Sequence, residues 1–293
     1  MAFVGLLLAV SLVGCSDPGG SSGGDPGASA PASGPASPPT PSYDEEEPRP
    51  TLTGVPREQL DDWDVGATVL PRRPDGYGVV RPTPPELRVR RIATTDLLSP
   101  PPDARFRASV RPVTPRWARR TSLAWEPGCP VRLADLRRLR LTFRGFDGLP
   151  HTGLMVVHRR VARDVVGVFR ALYEADYPIE QMAVARLEDL DALPTGDGNV
   201  TGAYACRATR GASSWSAHAY GLAIDVNPFM NPYVDDDLVL PELASAYTRR
   251  EWRRPGMIYR GDVVVEAFED IGWTWGGDFR SVSDPMHFSA TGR

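Results

Sequence analysis

Lysine is missing from this chain: all 33 residues of the Lys+Arg count are arginine. Arginine codons are GC-rich and lysine codons AT-rich, so this reflects the coding sequence and not the chemistry. An excess of positive charge is missing too. The net charge is −4 with a pI near 5.7, which argues against a nucleic-acid partner, since that calls for a basic face. Cysteine is scarce, at three residues, and so is histidine, at four. No cysteines stand close enough together for a zinc-ribbon type of site. Ser216 has no Gly-x-Ser-x-Gly elbow around it, which weakens a serine-hydrolase reading built on Ser216 and His218.

Long apolar runs are also lacking beyond the first residues. Met1 to Gly14 is apolar but short of the roughly 20 residues a membrane span needs. It reads as a secretory signal, residues 1–14, with small residues before the cut. The order Leu12-Val13-Gly14-Cys15 resembles the lipobox of bacterial lipoproteins. That resemblance implies lipid on Cys15 and an extracytoplasmic protein anchored to the outer face of the cytoplasmic membrane. Membrane contact would be through this N-terminal lipid only. Residues 15–50 are rich in Gly, Ser, Pro and Ala, with acidic residues at Asp44 to Glu47. Too little apolar surface is available there to offset ordering entropy, so a disordered tether is expected. Fully extended, it would reach on the order of 100 Å.

Prolines crowd residues 51–116, as in Arg81-Pro82-Thr83-Pro84-Pro85. This stretch reads as an N-terminal extension with short strands at Leu87 to Ile92 and Phe106 to Val110. The main domain, 117–293, is expected to be α+β. Apolar residues Val161, Val165, Phe169, Leu172 and Tyr173 recur at helical spacing, predicting a helix from about Val161 to Ala175. A second helix is predicted from Asp262 to Ile271, burying Val263, Ala267, Phe268 and Ile271 and ended by Gly272. Strands are predicted at Leu154 to Val157, Ile179 to Arg186, Leu222 to Val226 and Trp273 to Trp275, with a loop from Asp191 to Gly202. In an exported protein Cys129 and Cys206 are expected to form a disulfide.

Two segments carry the chemistry. In Trp215-Ser216-Ala217-His218-Ala219-Tyr220-Gly221-Leu222-Ala223-Ile224-Asp225-Val226-Asn227, Leu222, Ile224 and Val226 alternate with Asp225 on a predicted strand. Gly221 permits the turn that folds His218 back toward Asp225. A histidine and a carboxylate converging on one point fit a divalent metal, or equally a hydrogen-bonded core pair. The second segment, Asp284-Pro285-Met286-His287-Phe288, offers His287 as a third ligand and Asp284 beside it as a general base. Three protein ligands with a fourth position open characterise catalytic zinc.

The string Ser-x-His-x-x-Gly-x-Ala-x-Asp-x-Asn from Ser216 to Asn227 resembles the zinc D-alanyl-D-alanine carboxypeptidase family. So do Trp275-Gly276-Gly277-Asp278-Phe279 and Asp284-Pro285-Met286-His287-Phe288. The group includes vancomycin-resistance carboxypeptidases and L-alanyl-D-glutamate endopeptidases. The resemblance implies an α+β fold in which a small antiparallel sheet and helices carry a hedgehog/D,D-peptidase-like zinc site. It implies one Zn2+ per chain on His218, Asp225 and His287, Asp284 as the acid/base, and a peptidoglycan stem peptide as substrate. It also implies an arginine on the substrate or oxyanion, for which Arg207 is the candidate. Ser216 is expected to hydrogen-bond within the site. Trp275 is expected to wall the cleft or, alternatively, to pack in the core. His151 and His158 are expected to be structural or exposed. The competing reading is a non-catalytic, zinc-containing wall-binding lipoprotein, which would have no need of Asp284 beside the metal.

Overall fold

The computed structural model describes residues 60–209 and 213–292. The signal segment 1–14, the lipidation candidate Cys15, the tether 15–50 and the first residues of the 51–116 extension lie outside them.

The elements form an α+β fold. Strands β1 (Ala108–Pro112), β2 (Leu136–Arg144) and β3 (Pro150–His158) make an antiparallel sheet in the order β1-β2-β3. The first helix, α1 (Pro115–Arg120), is capped by the Thr114 side chain accepting from Trp117 N–H. The second, α2 (Ala162–Glu174), lays its apolar stripe on the sheet, with Val165, Phe169 and Leu172 almost fully buried. It stops where Asp176 turns to φ 52° ahead of Pro178. Next come β4 (Gln181–Met182), the short α3 (Leu187–Leu190) and β5 (Val200–Thr201); β4 and β5 pair in parallel. Then follow β6 (Ala223–Asp225), the hairpin β7 (Tyr233–Asp235) and β8 (Leu238–Leu240), and α4 (Val263–Glu269). Asp262 caps α4 by accepting from Val264 N–H at 3.0 Å and Val265 N–H at 3.1 Å. Finally β9 (Thr274–Trp275) and β10 (His287–Ser289) complete a second antiparallel sheet in the order β6-β10-β9.

The expected single small sheet is thus divided into several, and one strand pair is parallel. Three other expectations are corrected. Leu87 to Ile92 is no strand: Pro85–Leu87 forms a 3-10 turn, since prolines at 84 and 85 remove donors a ladder would use. Of Ile179 to Arg186 only Gln181–Met182 pairs as a strand, and its partner Val200–Thr201 falls in the expected loop. In α4 the buried face is Val264, Val265, Ala267 and Phe268, with Val263 and Ile271 only half-buried.

The stretch 60–116 is built into the same body. Strand β1 is an edge of the first sheet, and Leu70 and Leu87 share a core cluster with Phe146, Phe229 and Tyr247. Cys129 and Cys206 are joined, with Cα atoms 5.8 Å apart and a separation of 77 in sequence. Closing a loop of that size stabilises the fold by about 4 kcal/mol in the chain-entropy model.

Candidate metal centre

The second sheet and the turn that precedes it bring three side chains to one point. A 3-10 turn, Ala217–Tyr220, is capped by Ser216, whose Oγ accepts from His218 N–H at 3.3 Å. Gly221 ends the turn at φ 63°, a left-handed conformation that favours glycine. A Cβ there would also sit 2.6 Å from the backbone nitrogen of His158. The chain therefore reverses tightly against the end of β3 and enters β6 with Asp225 on the same side as His218. From the other direction β10 pairs antiparallel with β6 so that His287 stands opposite Asp225.

The result is a triad of side chains whose ligating atoms all lie within 4.8 Å of one another. His218 Nε2 is 3.2 Å from Asp225 Oδ2, and His287 Nδ1 is 3.0 Å from Asp225 Oδ1. The two imidazole nitrogens are 3.3 Å apart. His218 Nδ1 lies 2.6 Å from the carbonyl of Ala203. A carbonyl only accepts, so that nitrogen carries the hydrogen and Nε2 is left with its lone pair turned to the triad. Second partners of this kind fix ring orientation at metal sites. Two buried imidazoles and a carboxylate aimed at one point match the donor set that zinc takes. Burial alone would raise Asp225; the charges and hydrogen bonds of His218 and His287 outweigh it and hold the carboxyl far below its usual range.

Asp284 is held beside the triad without belonging to it. Its N–H donates to the Gly276 carbonyl (3.2 Å), and its own carbonyl accepts from His287 N–H (3.0 Å). Gly276 is needed for this approach, because a Cβ there would run into the Asp284 carbonyl. Oδ1 of Asp284 is fully buried and has no hydrogen-bond partner among the described residues. Burial, with the Asp225 charge second, pushes this carboxyl up to about 7, against the opposing pull of His287 and Arg207.

The site opens on a cleft of about 1080 Å3, lined among others by Arg207, Ser216, Asp284 and His287. Arg207 lines the cleft, next to the disulfide-bonded Cys206. Ser216 reaches it too, although its hydroxyl serves as the cap of the His218 turn. Trp275 does not line it. Its ring is buried in the main core, and its indole N–H donates to the Pro285 carbonyl at 2.9 Å. Of the two alternatives for Trp275 the core holds, and the substrate-binding assignment is corrected: the indole braces the loop that carries Asp284. His151 is buried between Asp96 and Asp147, away from the triad. Tyr77 and Tyr233, missed in the sequence, line the cleft from segments with no motif, and Trp215, at the head of the first motif segment, lines it too.

The His-Asp-His cluster could hold a metal ion, and a carboxylate stands alongside it in the cleft. Residues 209–290 match the protein-family profile described as D-alanyl-D-alanine carboxypeptidase, so the resemblance seen in the two motifs holds over the segment carrying the triad and Asp284. No curated protein and no solved structure gives a significant match to the chain.

Proposed function

We propose that the protein is an exported zinc metallopeptidase hydrolysing peptidoglycan stem peptides in the manner of D-Ala-D-Ala carboxypeptidases. The observation that carries this reading is the convergence of His218, Asp225 and His287 beside Asp284 within the matched segment. Zinc held there supplies Lewis acidity and lowers the pKa of water. This chain's own residues do the rest. Asp284, whose buried Oδ1 has no hydrogen-bond partner among the described residues, takes up the proton of the attacking water and delivers it to the leaving amine. Arg207 offers positive charge to the oxyanion or to a substrate carboxylate. Lipid on Cys15 would keep the domain on the outer face of the cytoplasmic membrane, within reach of the wall.

A second reading, cleavage of an internal bond of the L-Ala-D-Glu type, draws on one observation. His218, Asp225 and Arg207 also line a second cavity of about 1030 Å3, space that a longer peptide would need. Digestion of purified muropeptides with mass spectrometry of the products tests both. Loss of a terminal D-alanine supports the first reading and an internal cut the second. Intact muropeptides after incubation with zinc-loaded protein refute both.

A further inference from the structure

Residues 72–78 lie far outside the matched segment, yet they reach the cleft. They form a hairpin closed by the bridge between Arg72 and Gly78 and by Arg73 N–H donating to the Tyr77 carbonyl at 2.7 Å. Several contacts pin it to the wall of the site. The Arg73 guanidinium donates to both carboxylate oxygens of Asp237, each at 3.1 Å, in the turn between β7 and β8. Gly78 N–H donates to Glu242 Oε1 at 2.6 Å. Leu70, at the base, donates its N–H to the Pro194 carbonyl at 2.8 Å and is buried with Val239 and Leu243. The paired guanidinium and carboxylate have matched planar geometry, which fixes orientation as well as distance. The hairpin tip, Gly76–Tyr77, is therefore a fixed part of the cleft that also contains Asp284 and His287.

Tyr77 shares its side of the cleft with Tyr233, Leu240 and Pro241. Tyr233 feels both Tyr77 and Asp284: its hydroxyl is pushed up to about 12 by burial first, then by Asp235, Asp284 and Tyr77. The carboxylates beside these residues are already engaged: Asp235 accepts from the Tyr233 hydroxyl at 3.2 Å, and the buried Glu242 accepts from Gly78 N–H. A wall of two phenols, a leucine and a proline suits an uncharged, apolar side chain.

We propose that Tyr77 is a specificity-determining residue of the peptidase, contributed by the N-terminal stretch and held over the cleft by the Arg73–Asp237 pair. It contacts a peptide residue with a small apolar side chain, such as alanine, next to the scissile bond. This inference rests on the peptidase reading, and the experiment is ordered so that the two fail separately. The zinc-loaded full chain is first assayed on muropeptides; absence of turnover there refutes the peptidase reading and this inference with it. With an active parent, Tyr77→Ala is expected to raise KM about tenfold while kcat stays within about twofold. Zinc content and melting temperature should match the parent. Arg73→Ala, which removes one of the hairpin's contacts, should raise KM in the same direction, and Tyr77→Phe should fall between parent and Tyr77→Ala. Should Tyr77→Ala fail to fold, Tyr77→Leu and Tyr77→Phe carry the same comparison. A parental KM in the folded variants, or a loss confined to kcat, overturns the proposal.

Discussion

Arg90 grips Glu180 through two hydrogen bonds of 2.6 Å, Nε to Oε2 and Nη2 to Oε1, with both side chains buried. Glu180 Oε2 also accepts from Asn199 Nδ2 at 2.8 Å, and Asn199 Oδ1 accepts from Phe229 N–H at 2.9 Å. Glu180 N–H donates to Asn227 Oδ1 at 3.3 Å, two residues beyond the ligand candidate Asp225. The arginine of the Pro-rich stretch is thus wired into the floor beneath the site.

Removing one partner of such a pair strands a buried charge, which costs about 3–5 kcal/mol. Arg90→Ala should lower the denaturation midpoint by a corresponding amount. Arg90→Met combined with Glu180→Gln should recover part of the loss, because neither side then carries an unpaired charge. Urea melts of the single and double variants check this; additive losses would contradict the pairing argument.

One zinc per chain is expected from the triad. His218→Ala and His287→Ala should lose metal and turnover together, measured by elemental analysis of dialysed protein. Stoichiometric zinc in both variants would remove these residues as ligands.

Asp284→Asn should keep zinc and fold while losing turnover by about 100-fold or more, the scale of a general acid/base residue. Asp284→Glu should retain part of the activity, since the carboxylate is kept and only its reach changes. Parental hydrolysis by a zinc-loaded Asp284→Asn protein would remove Asp284 as the acid/base.

His151 should make stability depend on pH. Its Nδ1 faces Asp96 and its Nε2 faces Asp147, each at 3.0 Å. Only the doubly protonated ring can donate to both. Burial opposes that charge most strongly, but the hydrogen bonds and charges of Asp147 and Asp96 together prevail, so the pKa is raised. A raised folded-state value means the stabilisation is full below the unfolded-state pKa of about 6.5 and is lost as pH rises through the folded value. His151→Gln should flatten the stability profile between about pH 6 and 8. An unchanged slope would show that the ring does not titrate there.

Parts of this architecture were legible in the sequence, and the reasons are local. Helix α2 announces itself through Val165, Phe169 and Leu172, because one buried face repeats along it. The triad was legible because four histidines leave few combinations, and the Gly221 turn and the β6 alternation aim two of the side chains. The central strand β2 was not. Its run Leu-Arg-Arg-Leu-Arg-Leu-Thr-Phe-Arg breaks the alternation with arginines, whose aliphatic stems can cover apolar surface while the charged ends reach out. Arg138 lies over the Trp117 ring at 5.3 Å. Tyr77 was invisible for another reason: it reaches the cleft through a hairpin fixed by Asp237 and Glu242, contacts 164 residues away in sequence.

The pairing of β6 with β10 has a consequence for how the chain matures. Asp225 and His287 are cross-strand partners, so a slip of one residue would turn His287 to the opposite face. Grip on an ion therefore waits until the final strand has docked in the right alignment. A chain whose last strand is loose keeps only His218 and Asp225 and holds metal weakly. A metal held by the triad would in turn favour the paired β10, tying its uptake to this alignment.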